Sequence, residues 1–207
     1  MIGDIIILVA ILLVSVVIHE NAHGWTALAL GDPTAKAAGR LTLNPVPHLD
    51  PVGSFILPAF VAVASGGQST FGYARPVPVT PSKLKGTDKL GFAIVALAGP
   101  VSNLVMAFIA AVVLKMSLGG PVSTMDNMLI RFFQVNLYLA AFNLIPVPPL
   151  DGSRLLRPFI GDNGRRTLDR IEPYGFVIIL LLITVLDRPF FRIVNYIVDI
   201  LLRLLPL

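Results

Sequence analysis

Apolar positions fall in six runs, at about 5 to 30, 52 to 64, 90 to 117, 127 to 145, 174 to 186 and 190 to 207. A helix needs about 20 residues to cross the hydrocarbon core of a bilayer, so the first, third and fourth runs are long enough to span. The second, "PVGSFILPAFVAVAS", is short and carries Pro51 and Pro58. That suits a re-entrant or interfacial piece sheltered by other helices. Residues 66 to 89, "GGQSTFGYARPVPVTPSKLKGTDK", mix Gly, Pro and β-formers, which reads as a short extended segment or hairpin, with plain loop as the alternative. Near the carboxyl end, Arg192, Asn195, Asp199 and Arg203 follow one another at helical spacing and make one polar stripe. That helix either lies in the interface or completes a final hairpin with residues 174 to 186. No internal repeat or low-complexity segment is present.

The pattern predicts an all-α integral membrane protein, a multi-span helical bundle with a short re-entrant or β-hairpin element. Its parts are a first span over 1–30, a re-entrant or β region over 51–89, core spans over 90–117 and 127–145, and carboxyl-terminal helices over 174–207. Composition agrees. Hydrophobic residues make up 55% of the chain and charged ones 14%, against about 25% charged in soluble domains, and the mean hydropathy is +0.81. No polar stretch is long enough to fold as a second core, so residues 1–207 are expected to form a single membrane-embedded domain.

Cysteine is absent, which excludes disulfides, thiolate metal sites and cysteine-based catalysis. The net charge of +4 reports topology in such a chain rather than nucleic-acid binding. If the second run enters and returns, residues 31 to 89 and 146 to 172 share a face that holds most of the Lys and Arg. The opposite loop, "SLGGPVSTMDN", has neither. Basic loops stay cytoplasmic, so the expected arrangement has the amino terminus outside, three full spans and both large loops inside. The amino-terminal run, with Ala27, Leu28 and Ala29 as a small-x-small pattern, could pass for a signal peptide. It carries Asp4 and no Lys or Arg before the apolar stretch, where a signal peptide has a basic start, and a retained span is expected.

The chemistry enters with "VVIHENAHGWTALAL", residues 16 to 30. His19 and His23 stand four residues apart, one above the other on a helix face, with ring nitrogens able to meet one cation. Glu20 lies about 100° round the helix, beside that cation. This is the HExxH arrangement, in which two imidazoles bind Zn²⁺ and the glutamate is general base toward the bound water. On a soluble helix the pattern arises by chance as an exposed face. In lipid an ionisable side chain costs from about 2.5 to over 10 kcal/mol and is usually functional. Trp25, just beyond, fits an interfacial anchor.

A hydrolytic zinc takes three protein ligands and keeps one open position. His48, in the Pro-rich "LTLNPVPHLDPVG", is one candidate for the third; the carboxylates are the others. Asp151 is the better of them, because "FNLIPVPPLDGSRLL" interrupts a membrane helix with Pro146, Pro148 and Pro149 and then sets down a carboxylate and a glycine, in the segment 143–152. Unwound backbone is tolerated in membrane proteins where it lines a cavity or is buried. The plainer reading of Asp151 is a helix cap before a turn glycine.

The pairing of "HENAH" with "NLIPVPPLDG" resembles the site-2 protease family of intramembrane zinc metalloproteases, and "AGPVSN" at 98 to 103, "LTLNP" and "ARPVPV" extend the likeness over nearly the whole chain. The resemblance implies that His19, His23 and Asp151 match the zinc ligands and Glu20 the catalytic base. It implies too that Asn103 and Asn143 help hold an extended substrate or polarise its carbonyl, the alternative being interhelical hydrogen bonds. A re-entrant β element between the first two core spans would fit 66 to 89. Set beside that family, the sequence is expected to be a minimal form, without the PDZ domain in the outer loop or the CBS domain after the last helix that many members have.

The expected reaction is peptide-bond hydrolysis in a partly unwound transmembrane segment of a membrane protein substrate, with Zn²⁺ as cofactor and the bilayer as the other partner. Strand-like pairing with 66 to 89 would hold the opened substrate. The expected setting is a bacterial inner or plasma membrane, with the active site toward the cytoplasmic side. Two other readings compete: a metal or solute transporter with broken helices, against which the lack of repeated halves counts, and an inactive scaffold of the same fold.

Overall fold

The computed structural model describes residues 2–58, 72–85, 88–117 and 122–205. Helix α1, Ile2–Ala29, is continuous, with an apolar stretch from Ile5 to Ile18 broken only by Ser15 before the polar His19–His23 segment, and its end is encoded locally. Gly31 adopts φ +98°, its N–H donates to the Leu28 carbonyl, and the Asp32 N–H donates to the Ala27 carbonyl. These are the paired bonds of a Schellman motif, which needs a residue free to turn left-handed. Pro33 then prevents continuation. A short helix α2, Thr34–Ala37, and a 3₁₀ turn, Val46–His48, lead to a π-helical turn, Pro51–Ile56, capped by the Asp50 side chain accepting from the Val52 and Gly53 N–H groups.

Residues 72–80 run extended to a 3₁₀ turn, Pro81–Lys83. Among the described residues no strand pairing forms; the start of the expected 66–89 hairpin, residues 66–71, and the end of the expected re-entrant run, 59–64, lie outside the described residues. Prolines at 76 and 78, which carry no N–H, explain why this stretch is extended without forming a ladder. Helices α3, Asp88–Ser117, and α4, Thr124–Asn143, follow. The latter starts with a reciprocal capping box between Ser123 and Asp126. Then come α5, Asp151–Leu155; α6, Asp162–Ile171; α7, Gly175–Thr184; and α8, Asp187–Leu204.

Two helices, Gly3–Ala29 and Leu90–Ser117, are long and apolar enough to cross a membrane. Their outward faces present large apolar side chains, among them Ile5, Ile6 and Val9 on α1 and Ile94, Val105 and Ile109 on α3. A water-soluble surface rarely tolerates so continuous a patch. The third expected span, α4, has the length at 20 residues, but Asp126, Asn127, Arg131, Gln134 and Asn136 make it more polar. At 10 residues, α7 covers only about 15 Å of axis.

Helix α3 is the centre of the packing, with α1, α4 and α5 against it, while α8 packs on α4 and α7. The buried side of α3 is built of small residues, Ala93, Ala96, Ala107, Ala110 and Ala111, so neighbouring backbones approach closely, as membrane helix pairs require. The largest core cluster joins Leu137, Ala140 and Ile145 to Ile179 and to Phe190, Val194, Val198 and Leu201 of α8. The polar stripe of α8 lies on its exposed side, as its spacing predicts.

Candidate metal centre

His19 and His23 occupy adjacent turns of α1, both buried, and face α3. Asp151 arrives from 132 positions beyond His19 in sequence, at the first turn of α5, and its carboxyl group is buried as well. The two Nε2 atoms lie 3.0 Å apart, and Asp151 Oδ2 is 3.2 Å from each of them. Zinc bound tetrahedrally at about 2.0–2.1 Å sets its ligand atoms about 3.3 Å from one another. The three donor atoms are therefore already spaced for one such ion.

The proton positions make the same point. His19 Nδ1–H donates to Asn103 Oδ1 at 2.5 Å, and His23 Nδ1–H donates to the Val95 carbonyl at 2.7 Å. With both Nδ1 atoms donating, both Nε2 lone pairs and a carboxylate oxygen converge on one buried spot. Three electron-rich atoms held that close make a donor set suited to one cation. Among the described residues these three form the only group of His, Asp and Glu side chains with metal-binding spacing.

Close packing around the imidazoles explains two glycines. A Cβ at Gly99 would stand 2.5 Å from His19 Cε1 and Nε2 and also strike His23 Nε2, so only glycine lets α3 pass this near the site. Pro100 leaves the carbonyl of residue 96 without its helical donor, next to the Val95 carbonyl that receives His23. A Cβ at Gly152 would lie 2.4 Å from the Ile145 carbonyl oxygen, so the glycine after Asp151 lets α5 dock on the end of α4. The other carboxylate oxygen of Asp151, Oδ1, faces Arg154 NH1 at 3.6 Å, and Arg154 is itself stacked over Phe92 at 5.5 Å.

Glu20, the residue next to His19, is half-buried, and its Oε2 accepts the Val77 N–H at 2.7 Å. The extended 72–80 segment thus runs past α1 and touches the glutamate. It is anchored by the Arg75 N–H donating to the His48 carbonyl at 2.9 Å and by Arg40 donating to the Arg75 carbonyl at 2.6 Å. Burial and the adjacent charge of Arg75 lower the Arg40 guanidinium from its ordinary value, and the negative charge of Glu20 opposes them.

Of the two candidates for a third ligand, the structure brings Asp151 to the histidines and leaves His48 elsewhere. His48 is buried in the 41–48 loop, with Nε2–H donating to the Thr42 carbonyl at 3.0 Å. That carbonyl also accepts from Asn21 at 2.7 Å, so His48 braces the loop against α1. The asparagines separate too. Asn103 is fully buried, and both ends of its carboxamide are used, one by His19 and the other by Asn136 at 2.9 Å. Asn143 is half-buried at the end of α4 and donates to the Leu139 carbonyl of its own helix. Asn136, Gly99 and the Val95 carbonyl were not singled out by sequence. The one available signal was for Asn136, a polar side chain two turns before Asn143 on the same face of an apolar run.

A profile of peptidase family M50 matches residues 115–186, the stretch that includes Asp151. YwhC of Bacillus subtilis (strain 168), named "Putative zinc metalloprotease", is 41% identical over 182 residues, covering 84% of this chain and 78% of that protein. Rip2 of Mycolicibacterium smegmatis, given the same description, is 32% identical over 203 residues, covering 96% of this chain and 75% of that protein. The similarly named MJ0611 of Methanocaldococcus jannaschii is 41% identical over 68 residues, 32% of this chain and 35% of that protein. No solved structure matches the chain at comparable significance.

Proposed function

The chain belongs to peptidase family M50, the site-2 protease family, and from that premise we propose that it hydrolyses peptide bonds within or beside the transmembrane segments of membrane proteins. The observation that carries this reading is the convergence of His19, His23 and Asp151 at zinc spacing, with Glu20 alongside, on a helix apolar enough to span a bilayer. A protease acting on soluble chains has no need to build its site into such helices.

In this reading His19, His23 and Asp151 hold the ion, through both Nε2 atoms and Oδ2. Zinc bound there would supply a Lewis acid for the scissile carbonyl and lower the pKa of water to about 7. Glu20 takes the proton from the attacking water and passes it to the leaving amine. The Val77 N–H holds the Glu20 carboxylate in place, and Arg154 steadies the free oxygen of Asp151. The low exposure of all three ligands keeps bulk water from competing with the substrate.

A helical substrate hides its peptide bonds and must be opened before attack. We infer that the opened strand lies along residues 72–80. Between 75 and 78 it meets no free N–H donor, because the Arg75 and Val77 N–H groups are taken and Pro76 and Pro78 have none. The strand's own N–H groups would therefore make the bonds. The same reading assigns a third span to α4, a re-entrant or β element to 51–89, of which 59–71, 86 and 87 lie outside the described residues, one membrane domain to the whole chain and cytoplasmic loops at 31–89 and 146–172. It places the site toward the cytoplasmic side of a bacterial inner or plasma membrane.

The test compares membrane proteomes of cells carrying wild-type and Glu20→Gln protein. The carboxamide oxygen of the substituted side chain still accepts the Val77 N–H, so the variant should fold and keep its zinc. Loss of the base should cost about 10²–10⁴-fold in rate, and a membrane protein should accumulate uncut. A Glu20→Gln protein that leaves every membrane protein processed as before defeats the proposal.

A further inference from the structure

We propose that Asn136 is a positioning residue for the metal centre: acting through Asn103, it holds His19 in the Nδ1–H form and so aims Nε2 at the zinc. The inference rests on the reading of His19 as a zinc ligand. Asn136 is fully buried in α4, although its helix is one of those that pack against the apolar core. Its Nδ2 donates to the Phe132 carbonyl, four residues back, at 2.9 Å. A backbone carbonyl only accepts, so the orientation of the carboxamide is dictated and Oδ1 must point away from α4. Oδ1 receives the Asn103 Nδ2–H at 2.9 Å. Asn103 in turn must present its oxygen to His19 Nδ1, 2.5 Å away, and that nitrogen must carry the proton.

The direction of every bond in this chain is thus set by the carbonyl of Phe132. Turning either carboxamide over would place two donors, or two acceptors, face to face in a buried, low-dielectric setting, where an unsatisfied group is most costly. His23 needs no relay, because its Nδ1–H meets the Val95 carbonyl directly. Both ligands therefore use the same device, a backbone carbonyl that fixes the tautomer. For His23 it is the adjoining group, and for His19 it lies two side chains away, on a third helix. Such outer partners typically govern metal affinity by 10–100-fold.

The test uses the full chain purified in detergent and labelled with ¹⁵N-histidine, in which only three histidines contribute signals. In the zinc-loaded wild type, His19 should bind the metal through Nε2 and keep its proton on Nδ1. Asn136→Leu fills similar space without a carboxamide. It should weaken zinc binding in a chelator competition by about 10-fold or more, and the metal-free protein should show His19 in the other tautomer as well. Asn136→Asp, protonated in this setting, can still donate to Phe132 and accept from Asn103, and should restore both readouts. If Asn136 were only glue between α3 and α4, Asn136→Leu would lower the melting temperature and leave tautomer and zinc affinity unchanged, which overturns the proposal. Should Asn136→Leu not fold, the wild-type spectrum decides: zinc on His19 Nδ1 overturns the relay. A wild-type chain that takes up no zinc sinks the metal reading itself.

Discussion

Replacing Gly99 by alanine adds one methyl group at the point where α3 passes the two imidazoles. The new Cβ would sit 2.5 Å from His19 Cε1 and Nε2, where ordinary carbon contacts lie at about 3.5–4.0 Å. Something must therefore move by about 1 Å. The rings cannot simply swing aside, because His19 is tied to Asn103 and His23 to the Val95 carbonyl. Either those bonds break or α3 lifts away from α1. Overpacking of this kind costs about 1–3 kcal/mol, and if it falls on the zinc-bound state the affinity drops by about 5- to 150-fold, one decade per 1.4 kcal/mol. Zinc competition with a chelator on the detergent-purified chain reads this directly. Gly161→Ala, whose Cβ would meet nothing within 4 Å, is the control and should bind zinc normally. A Gly99→Ala protein with wild-type zinc affinity would show that the three donor atoms are not held as tightly as their spacing implies.

Asp151→Ala leaves two imidazole lone pairs without the carboxylate that completes the set, and metal content after gel filtration should fall further than the roughly 10–100-fold change in affinity typical of outer-shell changes. Gly152→Ala pushes α5 away from the end of α4 and should reduce zinc affinity while Asp151 itself is intact; unchanged affinity would remove α5 docking from the explanation. Asp32 should tie stability to acid pH. Burial raises its pKa, but hydrogen bonds from Thr34 and the Thr80 N–H, with the nearby Lys83 charge, outweigh this and hold it below the ordinary value. A depressed folded-state pKa means its stabilisation is complete above the unfolded value of about 3.9 and is lost as pH falls through the lower folded value. Melting curves should show Asp32→Asn less stable than wild type at neutral pH by about 1–3 kcal/mol, with the gap closing in strong acid; a gap that widens there contradicts the assignment.

Some features of this protein are local, and the sequence determined them. Two histidines four residues apart share a helix face wherever that helix lies, because the spacing is a property of the backbone. The end of α1 at Gly31 and Pro33, and the polar stripe of α8, are encoded the same way. The candidacy of Asp151 as a third ligand was legible for a related reason: a carboxylate after a proline-broken apolar run has few uses in lipid besides a helix cap.

Only the tertiary structure decided what surrounds those atoms. It brought Asp151, already the better candidate, to within hydrogen-bond distance of His19 across 132 positions and left His48 bonded in its own loop. It placed Asn103 in interhelical hydrogen bonds, one of the two roles its sequence left open, with His19 on one side and Asn136 on the other, because an asparagine's role depends on which acceptor its carboxamide meets across a helix boundary. The contact of Glu20 with Val77 and the need for glycine at 99 arise in the same way. These are distances between segments far apart in sequence, set by how closely α1, α3, α4 and α5 pack, and no periodicity within one helix carries that information.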